Sequence, residues 1–182
     1  MSVPETTSTT NHHFCSNMPS EEIFCVPEKY GVNGKIVSNR TMVTKGGVIE
    51  SPSFTIKDGK IIEYDAKFGR ELLGAIMDSD ENGRYLGEIS IVPNNSPISM
   101  QGITYYNILF DENAGCHAAI GNGYPKCLKG GLQMSTEEIK KEGINICSFH
   151  EDCVFGTADT KIVGTTYDGE EITIFENGTY TI

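Results

Sequence analysis

Three pairs of turn-forming residues, Asp58-Gly59, Asp168-Gly169 and Asn177-Gly178, each stand beside short runs in which apolar and polar residues alternate. Asp or Asn followed by Gly tolerates the positive φ of a tight hairpin turn, and alternation with period two buries one face of a strand. The segments SFTIKDGKIIEYDA and KIVGTTYDGEEITIF therefore read as hairpins, and ENGTYTI feeds a last short strand. A chain punctuated in this way is committed to antiparallel pairing, because parallel strands need long crossovers.

Between these hairpins three helices are expected. KFGRELLGAIMDSD places Phe68, Leu72, Leu73 and Ile76 on one stripe, and STEEIKKEG opens with Ser135 and Glu138 in capping-box spacing and closes at Gly143. The third spans DENAGCHAAIGNGY, although glycines interrupt it. GEISIV reads as a strand with Ile89 and Ile91 on one face and Glu88 and Ser90 on the other. The fold class is α+β: a mixed, largely antiparallel sheet, a few helices and a C-terminal β-meander. Residues 1–16, polar and Thr-rich, read as a flexible leader ahead of one domain over 17–182.

Charge and composition narrow the function. With 25 acidic and 14 basic residues the chain carries a formal charge of −11, which argues against nucleic-acid or anionic-membrane surfaces. No apolar run approaches the roughly 20 residues of a membrane span, and the first residues lack a signal-peptide pattern, so a cytoplasmic protein is expected. The 6 cysteines form no C-x-x-C pair and read as reduced thiols.

Several residues carry candidate chemistry. DSDENGRYLGEI resembles a calcium loop at its first, third, fifth and sixth positions, but Ile89 occupies the twelfth, where a bidentate carboxylate is required, and a strand follows it. An acidic turn is the better reading, and it leaves Glu88 unexplained. In FHEDCVF, His150 and Asp152 are two apart on a strand-like run and project to one side, offering an imidazole and a carboxylate to one cation. His117 and Tyr124, seven apart, share a stripe if the helix there is continuous. A structural zinc site of Cys116, His117, Cys147 and His150 competes for the same histidines, but adjacent residues on a helix diverge by about 100°.

Four blocks in order, NMPSEEIFCVP, RYLGEISIVP, NILFDENAGCHAAIGNGYP and FHEDCVFGTADTKIVG, resemble the aminopeptidase T, AmpS and PepS family of dinuclear metallo-aminopeptidases. The resemblance covers residues 17–182 and implies a C-terminal metal-binding domain lacking the N-terminal domain of a family about twice this length. It places metal ligands at Glu22, Glu88, His117, His150 and Asp152, with Glu88 and Tyr124 as catalytic residues. Glu22 is chosen over its neighbour Glu21 because the ligand falls second in that pair. The implied cofactors are two divalent ions, zinc or cobalt, with manganese or magnesium as alternatives. The implied partners are peptides with a free N-terminus and a second copy of the chain, without nucleic acid or membrane. Three carboxylates and two neutral imidazoles against two dications leave about one positive charge, suited to activating a shared water. The alternative is an inactive family remnant that keeps the fold as a metal-binding or structural module.

Overall fold

The computed structural model describes residues 21–181, together with the backbone of two short paired strands, β1 (Thr6–Thr7) and β2 (His13–Phe14). The remainder of the expected leader lies outside the described residues. The chain continues through β3 (Ile23–Cys25), β4 (Gly34–Val37), β5 (Thr41–Thr44), β6 (Gly47–Glu50), β7 (Ser53–Lys57) and β8 (Lys60–Asp65) to α1 (Arg70–Met77). After β9 (Leu86–Ile91) come α2 (Pro97–Gln101), α3 (Ile108–Glu112), β10 (His117–Gly121), a 3-10 turn over Pro125–Cys127, α4 (Thr136–Lys141) and β11 (His150–Val154). A meander of β12 (Ile162–Thr165), β13 (Glu171–Glu176) and β14 (Thr179–Tyr180) closes the fold.

Each pairing among the described strands is antiparallel, as the turn pairs require. Asp58 and Gly59 take φ 49° and 77° between β7 and β8, and the other two turn pairs fall where the sequence puts them, between β12 and β13 and between β13 and β14. α4 carries the expected capping box, with Ser135 accepting from the Glu138 amide and Glu138 accepting from the Ser135 amide. No helix among the described residues is long and apolar enough to cross a membrane.

Two expectations need correction. Phe68 is not on the buried stripe of α1: the helix starts after Gly69, which takes φ 80°, and leaves Phe68 60% exposed, while Leu73 and Met77 carry the burial. The third helix is a short α3 followed by a strand. All five residues of β10 are buried, because this strand pairs on both edges, with β9 and with β11. A central strand built from Ala118, Ala119 and Gly121 is too small-featured to be told from a helix by periodicity.

The sheet that matters for function runs β11-β10-β9-β3. One of its faces, bearing Ala118, Ile120 and Cys153, joins the apolar core of Met42, Ile49, Phe54, Ile56, Ile61, Leu73 and Met77. The other face carries Phe24, Glu88, Ser90, His117 and Asp152. The C-terminal meander is fastened to this sheet by Tyr180, whose hydroxyl donates to the Ile91 carbonyl at 2.7 Å.

Candidate metal centre

On β9 the polar face is the buried one: Glu88 and Ser90 are 5% and 0% exposed, whereas Ile89 and Ile91 are only half-buried. The register explains it. Ser90 lies opposite both Phe24 and His117, and Ala119 lies between Glu88 on one side and Asp152 on the other. A bulge sets in after Ala119, where Ile120 pairs with Leu86 and leaves Gly87 as the extra residue beside Glu88. Because the central position is only a methyl group, carboxylates from the strands on both sides can approach over it.

The resulting cluster holds two groups of three. Glu22, Glu88 and His117 form one, and Glu88, His150 and Asp152 form the other, with the ligand atoms of each group within 4.8 Å of one another. Glu88 belongs to both. His117 Nε2 is 3.2 Å from Glu22 Oε2 and 3.4 Å from Glu88 Oε1, and His150 Nε2 is 3.5 Å from Asp152 Oδ1 and 3.8 Å from Glu88 Oε2. All five residues expected to ligate metal are therefore brought together. Glu22, not the more exposed Glu21, is the one turned inward.

Both imidazoles are held by the nitrogen that faces away from the carboxylates. His117 Nδ1 is 3.1 Å from the Gly115 carbonyl, and His150 Nδ1 is 2.7 Å from the Asn122 carbonyl. A carbonyl only accepts, so each Nδ1 carries the hydrogen and each Nε2 is turned toward negative oxygen. Such an arrangement requires a positive species between nitrogen and carboxylate, a proton or a cation. His117 Nε2 and both Asp152 oxygens are buried without an aligned hydrogen bond, the environment a metal would satisfy. Burial lowers the basicity of His117, but contacts to Glu22 and Glu88 and the Asp152 charge outweigh it and raise its pKa well above the usual value. Against the same opposing burial, Asp152, the Asn122 carbonyl and Glu88 bring His150 to about 9. Ser90 Oγ donates to Glu22 Oε2 at 2.9 Å and orients that carboxylate.

Tyr124 does not share a helical stripe with His117. It stands at the start of the turn over Pro125–Cys127, where its ring packs on the His150 ring with centroids 4.8 Å apart. Burial and the charges of Asp152 and Glu88 push its hydroxyl up to about 12, so it remains an O–H donor. The rejected calcium loop is an acidic turn, with Asp80 accepting from the Asn82 and Ser148 amides. The cysteine-based zinc reading also fails: neither three-residue group contains a thiol, and Cys116 donates weakly to the Val92 carbonyl.

Two residues of the site were not singled out from the sequence. Glu112 ends α3, and burial with the Asp152 and Glu22 charges pushes its carboxyl up to about 9. Lys126 lines the same cleft, of about 420 Å³, as Glu22, Glu88, Glu112, Tyr124 and His150. The available signal for Glu112 was the acidic pair Asp111-Glu112 just ahead of the His117 block. It reads equally well as a solvated helix end.

Residues 4–180 match the thermophilic metalloprotease (M29) family. The chain is 43% identical over 171 residues to aminopeptidase AmpS of Bacillus subtilis and 40% identical over 174 residues to aminopeptidase 2 of Geobacillus stearothermophilus. These alignments take in 94% and 96% of this chain but 42% of each relative. The fold superposes on wild-type AmpT from Thermus thermophilus with a TM-score of 0.89 at 30% identity, over 98% of this chain and 44% of that one. The chain thus spans less than half the length of the proteins it matches. A family match over nearly every residue, borne on the sheet that assembles the carboxylates and imidazoles, places the chain in the thermophilic metalloprotease (M29) family.

Proposed function

We propose that this chain is the metal-binding catalytic part of an aminopeptidase, removing N-terminal residues from peptides at a dinuclear centre. The observation that carries the reading is the sharing of Glu88 between two ligand triads, an arrangement suited to bridging two ions typically ~3.5–4 Å apart. Glu22 and His117 would complete one ion's ligands, and His150 and Asp152 the other's. Zinc or cobalt fits two imidazoles best, and the carboxylates also accept manganese or magnesium. Bound there, two dications would supply a water of lowered pKa and a Lewis acid for the scissile carbonyl. Tyr124, protonated and packed on His150, is placed to donate a hydrogen bond to the oxyanion that develops on that carbonyl. Glu112 adds a fourth carboxylate beside Asp152, available as a further ligand once its proton is displaced.

The relatives' names support peptides with a free N-terminus as substrates, and the free thiols of the described cysteines suit a reducing, cytoplasmic setting. The test is hydrolysis of leucyl-p-nitroanilide by chain stripped with chelator and reloaded with zinc or cobalt. We expect turnover that a chelator abolishes. Metal uptake without turnover would instead support the alternative of a non-catalytic metal-binding module.

A further inference from the structure

Resting on the aminopeptidase reading above, we infer that Lys126 selects short peptides by binding a substrate carboxylate on the far side of the scissile bond. Lys126 Nζ lies 5.1 Å from the centre of the Phe24 ring and 5.4 Å from the centre of the Tyr124 ring. Both distances are within the range of cation–π attraction, so both ring faces bear on where the ammonium group lies. Phe24, in β3, is two residues on from Glu22, which adjoins the start of that strand, and Tyr124 lies against His150. The two rings beside Lys126 thus adjoin the ligands, Phe24 along the chain from Glu22 and Tyr124 by packing on His150.

The remaining lining of the cleft gives it two poles. Glu22, Glu88 and Glu112 stand at the metal end, Lys126 is the one lysine or arginine among the lining residues, and Ile108 and Leu109 supply apolar wall. An aminopeptidase substrate presents its N-terminus to the metal ligands, and a carboxylate further along it meets the opposite charge of Lys126. One ring separates Lys126 from His150, a span that one or two residues cover at ~3.3–3.6 Å each. A cleft of about 420 Å³ is also toward the small end of ligand sites, which run from roughly 300 to 1,000 Å³. Dipeptides and tripeptides, zwitterions of that length, are the substrates this arrangement favours. The carboxylate can be the peptide's C-terminus or an acidic side chain one residue beyond the cleavage point.

The test uses non-hydrolysable Leu-Gly ketomethylene isosteres ending in carboxylate or carboxamide, titrated calorimetrically into the zinc-loaded chain. The carboxylate is expected to bind about tenfold tighter than the carboxamide, as a charge-assisted contact requires. Lys126→Met should bring that ratio close to one, and Lys126→Arg should restore it, with thermal unfolding checking that both variants fold. Carboxamide-capped isosteres with Asp or Asn in the second position separate the two sources: a preference for Asp that depends on Lys126 assigns the site to side chains, and its absence assigns it to the C-terminus. Equal affinity for carboxylate and carboxamide in both pairs, a preference unchanged in Lys126→Met, or no binding of any isostere would overturn the proposal. Leucyl-p-nitroanilide, which has no carboxylate, reports separately on the aminopeptidase reading itself.

Discussion

Glu88 is a buried carboxylate with an imidazole on either side, His117 Nε2 at 3.4 Å and His150 Nε2 at 3.8 Å. Its position in both triads means that loss of its charge is felt by both cations. Glu88→Gln should therefore reduce metal content by more than one ion per chain, while Tyr124→Phe, which keeps the ring against His150 and every ligand, should leave the content unchanged. Elemental analysis of the two purified variants decides this, and a Glu88→Gln chain that retains two ions would show that Glu88 is not the bridge. At this scale the sequence was read well only where a family pattern supplied the meaning. On alternation alone Glu88 and Ser90 are the outward face of a strand, since burying a carboxylate is costly without a partner. The partners come from strands about 30 to 65 residues away, and no local pattern contains them. Glu112 was missed for the same reason: an acidic helix end is ordinarily solvated, and only the fold turns it toward Asp152.

The central strand β10 sets the spacing of the site through what it lacks. Ala119 is fully buried with Glu88 and Asp152 opposite it on the two neighbouring strands, and adjacent strands lie ~4.8 Å apart, so the carboxylates must lean across a single methyl group to share a ligand sphere. Ala119→Val introduces a residue that favours strands and adds two methyl groups to that space. We expect it to lower metal affinity by roughly 10–100-fold, the size typical of disturbed supporting positions, with the sheet retained. Competition against a chromogenic chelator measures the affinity, and circular dichroism checks the sheet. Unchanged affinity would mean that the carboxylates do not meet over Ala119. The hairpins were legible because Asp-Gly and Asn-Gly pairs encode their turns within a few residues. β10 was not, because five consecutive buried positions have no period: its identity as a strand is fixed by β9 and β11 on its edges.

The sheet divides the molecule into a core side and a site side. On the site side, α2 exposes Met100 and the segment joining it to α3 exposes Ile103 and Tyr106, ahead of Ile108 at the cleft wall. Exposed apolar side chains gathered in one short stretch of chain favour association. Sedimentation of the metal-loaded chain should accordingly give a mass above that of a monomer, and Met100→Lys with Tyr106→Ser should shift it toward the monomer without loss of metal. A parent chain that sediments as a monomer at high concentration would contradict this. In the proposed function, five residues from four strands, or from positions adjoining them, hold two cations through one shared carboxylate, and this is tested most directly by the metal content of the chain, stripped with chelator, reloaded with zinc and freed of excess, by elemental analysis. Two ions per chain are expected in the parent. One ion, or none, in a folded chain would contradict it.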